Sequence, residues 1–222
     1  IADQNGLWIL DDAAQAFGAT YKGSPLGTLG RVTGTSFYPS KPLSCYGDGG
    51  AVLTDDTDLY ERMKCVRVHG NGGGSADAKC LGLTARFDSI QAAVLLEKLK
   101  IFDDECAERN DVAQRYSDGL SDVVQTPQLI DDATSVWAQY TLVSDRRDTI
   151  VETLAAEGIP TALFYPRPLH AQGPYRSYPV AGNGLPVTDR LAEQVVSLPM
   201  HPYLEPDAQA RIIAAVRAAL SS

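Results

Sequence analysis

The sequence predicts an α/β protein, with a mostly parallel sheet flanked by helices and then a smaller C-terminal α+β domain. Three observations carry that reading. Leu7-Trp8-Ile9-Leu10 is a short apolar run without alternation, the pattern of a strand buried on both faces. Twenty-one residues separate the strand ends Asp11 and Thr33. That is enough for a parallel crossover, which needs about a dozen. Beyond Thr134, short strand-like and helix-like segments alternate.

Asp11-Asp12 end the first strand, and Ala13 to Phe17 read as a helical turn. Tyr21 to Gly30 holds Gly23, Pro25, Gly27 and Gly30 and reads as a loop. Val32 to Phe37 is a second strand, Gly47 to Gly50 a turn, and Ala51 to Thr54 a third strand. Asp58 to His69 is helical and ends at Gly70. Asn71 to Ser75 is a glycine-rich loop. Asp88-Ser89-Ile90-Gln91 has the capping-box form, with Asp as N-cap and Gln reaching back. It opens a helical stretch to about Leu120, broken near Phe102–Asp104. Gln125 to Thr134 is a polar connection. A strand (Trp137–Val143), a helix (Asp148–Glu157, stopped by Gly158) and a strand (Thr161–Phe164) follow. A helix (Asp189–Val196) and a C-terminal helix opened by Pro206 complete the chain. A boundary near residue 120 gives domains 1–120 and 121–222.

Composition narrows the function. The 222 residues are 44% hydrophobic and 21% charged, ordinary globular usage. A chain of this size buries ~70% of its unfolded surface, so it needs no staples. The net charge of −9 and pI of about 4.7 oppose a nucleic-acid scaffold or an anionic membrane surface as partner. No apolar run reaches membrane-span length, and no signal-peptide pattern precedes the first strand. Cys45, Cys65, Cys80 and Cys106 form no C-x-x-C pair, consistent with a reducing, cytoplasmic setting. The chain starts at Ile1 and runs almost at once into a strand, which suggests a fragment of a longer protein.

Several motifs fail on inspection. Gly70-Asn71-Gly72-Gly73-Gly74-Ser75 begins like a dinucleotide fingerprint, but ends in Ser and follows a helix. Gly34-Thr35-Ser36-Phe37-Tyr38 lacks the last glycine of a nucleophile elbow. Cys65 and His69 stand at i, i+4 but find no third metal ligand at sensible spacing, so no metal is expected. His170 and His201 lie beside prolines in loops. What survives is a constellation of Asp12 after one strand, Ser36 at the end of the next, and Lys41 five residues later. Ligands bind at the carboxyl ends of parallel strands, so an acid, a hydroxyl and an amine converge there. Pyridoxal phosphate needs such a set: a lysine, a carboxylate for the ring nitrogen, and hydroxyl donors for the phosphate. Taken singly, each has a plainer role: Asp12 as an N-cap, Ser36 as a strand-end hydrogen bonder, Lys41 as an exposed loop residue.

Ordered blocks add to this. They are Asp11-Asp12-Ala13-Ala14-Gln15-Ala16-Phe17-Gly18-Ala19, Ser36-Phe37-Tyr38-Pro39-Ser40-Lys41 and Gly47-Asp48-Gly49-Gly50-Ala51-Val52. Arg86-Phe87-Asp88-Ser89-Ile90-Gln91-Ala92-Ala93, Gly158-Ile159-Pro160-Thr161, Tyr165-Pro166 and Ser197-Leu198-Pro199-Met200-His201-Pro202 continue the series. Together they resemble the DegT/DnrJ/EryC1/StrS nucleotide-sugar aminotransferases of the fold-type-I pyridoxal-phosphate enzymes. Trp137-Ala138-Gln139-Tyr140-Thr141 and Ile101-Phe102-Asp103-Asp104-Glu105 look most like one branch. That branch aminates a UDP-linked 2-acetamido-3-keto hexuronate for bacterial surface polysaccharide such as O-antigen.

The resemblance implies a homodimer using pyridoxal 5'-phosphate, glutamate as amino donor and a nucleotide-linked keto sugar as acceptor. It implies that Lys41 is the cofactor lysine and proton carrier, and that Asp12 partners the ring nitrogen. Gln15 would lie beside the ring, and Ser36 would bind the phosphate. Thr84 would reach the neighbouring subunit's cofactor, and Arg86 and Tyr165 the substrate. From the residues themselves, Arg86 equally suits an ordinary ion pair and Tyr165 a packed aromatic.

Three departures stand out. Thr84 replaces the Asn common in relatives, and Phe164 the His that precedes the branch's tyrosine. The N-terminal part that family members carry before the Asp12 strand is absent. The edge at Leu7–Leu10 is therefore expected to be open and sticky, and the isolated chain poorly stable and weakly active or inactive. Two rival readings are a non-catalytic aminotransferase-like sensor or assembly protein and a sugar dehydratase. Dehydratase relatives replace the lysine with histidine, whereas Lys41 is intact.

Overall fold

The computed structural model describes residues 1–74 and 76–221. They form two compact units. The first comprises Ile1–Cys106 with Leu129–Ala138, and the second Ala107–Gln128 with Gln139–Ser222. The division falls inside a helix, where the sequence suggested a boundary near residue 120.

In the first unit, β1 (Leu10–Asp12), β4 (Val32–Ser36) and β5 (Gly50–Leu53) make a sheet ordered β1-β4-β5. β1 runs parallel to β4, with Leu10 opposite Val32 and Asp12 opposite Gly34. β4 pairs antiparallel with β5. The expectation of a first strand buried on both faces is corrected. β1 is short and lies at the sheet edge, and Leu7 and Trp8 are 63% and 68% exposed. Apolar strand residues are buried only where another layer covers them, and among the described residues no further strand pairs with β1.

Ala13 to Phe17 form turns, not a helix. Ala16 N–H donates to Ala13 O, and Ala19 N–H to Ala16 O. The predicted loop after Tyr21 holds a small hairpin, β2 (Thr20–Tyr21) with β3 (Ser24–Pro25). Lys22 and Gly23 both have positive φ (50° and 76°), as a two-residue hairpin turn demands. Thr20 N–H donates to Thr134 Oγ1 and Thr134 N–H to Thr20 O, which ties 129–138 back into this unit.

The unit's core gathers Ala19, Phe37, Leu43, Cys45, Phe102 and Val136. Phe17 meets Phe37 edge-on at 6.1 Å and lies 5.9 Å from Phe102. Helix α1 (Thr57–Arg67) is capped by Asp56, whose carboxylate accepts from Leu59 N–H and pairs with Arg31 at 2.6 Å. Those two contacts, the amide first, hold the Asp56 carboxyl below its usual range. Helices α2 (Ser89–Leu99) and α3 (Phe102–Leu120) follow, parted at Lys100-Ile101 close to the expected break. Ser75, within the glycine-rich loop, lies outside the described residues.

The second unit is built on β6 (Tyr140–Val143) paired antiparallel with β7 (Val195–Leu198). Around it lie α3 from Ala107 onward, α4 (Arg147–Ala156), α5 (Pro186–Gln194) and α6 (Pro206–Ser221). The predicted helix 189–196 gives way to strand at Val195, where two β-branched residues meet β6. The predicted strand Thr161–Phe164 reduces to one bridge, Ala162 with Ser197. Tyr116, Tyr140, Leu142, Ile150, Leu154 and Val216 are fully buried. Tyr116 stacks on Tyr140 at 4.9 Å and donates its hydroxyl to Pro199 O at 2.9 Å. Burial, and then Tyr140, push the Tyr116 phenol well above its usual value.

Two outcomes follow. Gly18 has φ 95°, and a Cβ there would sit 2.7 Å from the buried Phe102 ring. Gly18→Ala should lower stability by roughly 1–3 kcal/mol, read from the urea midpoint. Desolvation and then the Arg109 charge hold His201 below the usual histidine value. A depressed histidine favours the neutral folded state, so its share of stability is lost as pH falls through the ordinary value of ~6.5. The urea midpoint of the wild type should therefore drop more between pH 7.5 and 5.5 than that of His201→Gln.

Candidate active site

Strand register assembles the candidate site. Asp12 faces Gly34 across the parallel pair, and Ser36 lies two residues further along β4. Side chains alternate on a strand, so Asp12, Gly34 and Ser36 share one face. Thr33 and Thr35 take the other face, where they are buried. A Cβ at Gly34 would meet nothing within 4 Å, so the face between the carboxylate and the hydroxyl is open. Asp12 Oδ1 accepts from Ala14 N–H at 3.0 Å, and Ser36 Oγ accepts from Tyr38 N–H at 3.3 Å.

Lys41 stands in the loop that leaves β4. Phe37 N–H donates to Gly49 O, and Cys45 N–H to Phe37 O, both at 2.8 Å, closing the loop at its base. The buried Cys45 thiol lies 3.1 Å from Phe37 O and 3.2 Å from Gly47 O. Lys41 N–H donates to Tyr38 O. The Lys41 side chain is half-buried and makes no ion pair among the described residues.

Helix α2 braces this loop from outside. Gln91 Oε1 accepts from Tyr46 N–H at 2.7 Å, while its Nε2 donates to Tyr46 O at 3.2 Å. Lys98 Nζ donates to Ser44 Oγ at 3.0 Å and sits 5.4 Å from the Tyr46 ring centroid. The capping-box reading is thereby corrected. Asp88 makes no side-chain cap bond, and the Gln91 amide serves Tyr46. Nothing in the local sequence signals these contacts, which span 45 and 54 residues.

The other expected site residues lie elsewhere. Gln15 is exposed in the turn after Asp12. Thr84 bridges Val68 beyond α1, with its hydroxyl 3.4 Å from His69 Nδ1. Arg86 is exposed two residues on. Tyr165 belongs to the second unit, is 73% exposed and has φ 61°. The structure thus puts Asp12 and Ser36 on one face, with the Lys41 loop following Ser36 along the chain and Gln15 following Asp12. Thr84 and Arg86 stand on a separate segment. Cys65 and His69, read as one helix face, part at the end of α1, where His69 takes φ 56°.

The chain belongs to the DegT/DnrJ/EryC1/StrS aminotransferase family, which it matches over residues 1–217. It is 44% identical over 206 residues to the UDP-2-acetamido-2-deoxy-3-oxo-D-glucuronate aminotransferase of Pseudomonas aeruginosa, covering 92% of this chain and 56% of that protein. It is 40% identical over 220 residues to the dTDP-3-amino-3,4,6-trideoxy-alpha-D-glucose transaminase of Streptomyces venezuelae, covering 98% and 58%. Its fold matches the crystal structure of a family aminotransferase from Brucella abortus with TM-score 0.96 and 46% identity. That match covers 100% of this chain and 59% of the other. The chain therefore spans somewhat over half the length of these relatives. Its fold is that of the fold-type-I pyridoxal-phosphate enzymes.

The brace predicts a local effect. Gln91→Ala removes both bonds to Tyr46, worth about 1 kcal/mol net. Amide exchange at Tyr46 should quicken by roughly five- to tenfold, measured by hydrogen–deuterium exchange.

Proposed function

We propose that this chain is the lysine-bearing part of a pyridoxal-phosphate-dependent aminotransferase. The enzyme moves an amino group from glutamate to a nucleotide-linked keto sugar. The observation that carries the reading is the open face over Gly34, set between the Asp12 carboxylate and the Ser36 hydroxyl beside the Lys41 loop. That donor set fits the cofactor, offering an anion for the ring nitrogen, a hydroxyl for the phosphate and an amine for the aldehyde carbon.

When bound, the cofactor supplies an electron-withdrawing ring that stabilises negative charge on the amino-bearing carbon. Asp12 keeps a proton on the ring nitrogen through its charge. Ser36 donates a hydrogen bond to the phosphate. Lys41 Nζ would hold the cofactor's aldehyde carbon and would serve as the base for the proton on the substrate carbon. Gln15 would lie beside the ring. The exposed Thr84 and Arg86 serve the partner subunit's site in a homodimer, with the Arg86 fork suited to a uronate carboxylate or sugar phosphate. Tyr165 contacts the sugar. The Pseudomonas relative's name supports a UDP-linked 2-acetamido-3-keto hexuronate as the acceptor, and a cytoplasmic route to surface polysaccharide belongs to the same proposal.

Two relatives, 36% and 37% identical, carry regulatory names: a pleiotropic regulatory protein of Geobacillus stearothermophilus and the erythromycin biosynthesis sensory transduction protein of Saccharopolyspora erythraea. A sensor is thus the second reading, and turnover separates the two.

Titration of the chain with pyridoxal phosphate should raise a visible absorption band that is absent in Lys41→Ala and bleaches on adding glutamate. Failure of any Lys41-dependent band, in this chain and again in a chain extended to its relatives' full length, overturns the reading. A persistent band that no amino donor bleaches favours the sensor. Asp12→Asn should keep the band while slowing the glutamate half-reaction by roughly 10²-fold, followed by stopped flow.

A further inference from the structure

The end of α1 and the glycine-rich segment after it place two thiols side by side. The Sγ atoms of Cys65 and Cys80 are 3.6 Å apart. Both turn to one carbonyl, Gly70 O, at 2.9 Å and 3.8 Å. The backbone enforces this closeness. Gly70 N–H donates to Cys65 O, and Lys79 N–H and Cys80 N–H both donate to Gly70 O. Leu83 N–H then donates to Val66 O at 2.7 Å, folding the segment back on the helix. Gly70 has φ 77°, and a Cβ there would run into the Cys80 carbonyl. Cys80 is exposed and Cys65 half-buried, while Cys45 is fully buried.

A cleft of about 620 Å³ opens at the pair. Glu61, Arg62, Lys64 and Lys79 line it. Lys64 is paired with Glu61 at 3.3 Å, whereas Arg62 and Lys79 make no ion pair among the described residues. A cleft of that size with two cations suits a small anionic peptide.

We propose that Cys65 and Cys80 are a modification site, closing to a reversible disulfide by exchange with an anionic low-molecular-weight disulfide of the oxidised-glutathione type. The exposed Cys80 thiolate attacks one sulfur of the small disulfide. A mixed disulfide forms, and one small thiolate leaves and takes up the proton that Cys80 lost. Cys65, its proton passed to solvent, then attacks the Cys80 sulfur and expels the second small thiolate, which is protonated in turn. Two protein thiols are oxidised to one disulfide and one small disulfide is reduced to two thiols, so atoms and electrons balance.

The order follows from the surroundings. Burial first, and then the neighbouring Cys80, push the Cys65 thiol above its usual value, against a smaller opposite pull from Lys79. The exposed thiol therefore reacts first. Closure needs the sulfurs to approach by about 1.5 Å, from 3.6 Å to a bond of ~2.05 Å. The glycines at 72 and 73, at φ 71° and 82°, give the intervening segment room to follow. The bond would pin that segment to α1 just before Val68 meets Thr84. The inference stands apart from the proposed catalysis, because its readout is the thiols themselves.

The test treats the folded chain with oxidised and reduced glutathione at graded ratios, quenches with acid and maps peptides by mass spectrometry without reduction. A Cys65–Cys80 cross-link is expected, with Cys45 and Cys106 still reduced and full reversal by dithiothreitol. The link should form at an oxidant ratio at least about tenfold lower in the folded chain than in urea. Cys65→Ser should accumulate a stable glutathione adduct on Cys80, and Cys80→Ser should leave Cys65 reduced. A stable adduct on wild-type Cys80 without the cross-link overturns the proposal. So does a link through Cys45 or Cys106, equal linking in urea, or no reaction.

Discussion

Parallel pairing of Leu10–Asp12 with Val32–Gly34 sets where the carboxylate and the hydroxyl of the candidate site stand. Two parallel strands must be joined by a crossover that brings the chain back to the starting end. Here Gly27 is the fastening point of that return. Asp11 Oδ2 accepts from Gly27 N–H at 3.2 Å, and the buried Thr33 hydroxyl donates to Gly27 O at 2.9 Å. Thr35 Oγ1 donates to Ala13 O at 3.2 Å just past the pair. Buried hydroxyls need such partners, so the threonines fix the register as well as the spacing. With the register fixed, one strand delivers a carboxylate and the other a hydroxyl to the same edge.

The lysine needs a second device, because it stands on a loop. Its base is closed by the Phe37–Cys45 backbone bond, and its outer flank is held by Gln91 and Lys98 of α2. Each such bond contributes at the lower end of roughly 0.5–1.5 kcal/mol net, so the placement rests on several modest contacts and on the aromatic core beneath. Phe37 joins the two levels. Its backbone anchors the loop while its ring packs with Phe17 and, at 6.1 Å, Phe87. The same core therefore positions the strand ends and the base of the lysine's loop.

The outer side of β1 contrasts with this. Leu7, Trp8, Ile9 and Leu10 are all at least half exposed, and among the described residues no strand pairs with the outer side of β1. An apolar strand edge of this kind invites pairing with another chain or segment. The sequence pattern that announced a doubly buried strand expressed a demand for cover, and the described residues do not meet it.

What the sequence determined by itself was local and patterned: the helices, one of them with its stop at Gly158, the strand at Val32, and the order of acid, hydroxyl and amine along the chain. Glycine conformational freedom and apolar periodicity act over a few residues, so they can be read without the fold. Tertiary structure decided the rest. Gln91 was drawn from a cap to Tyr46, and Val195–Val196 from a helix end to a strand beside β6. Ala13–Phe17 became turns against Phe102, and two cysteines fifteen residues apart came within 3.6 Å. In each case the deciding partner is distant in sequence. The free energy of a long-range hydrogen bond, ladder or apolar contact exceeds the few tenths of a kcal/mol by which local propensities differ.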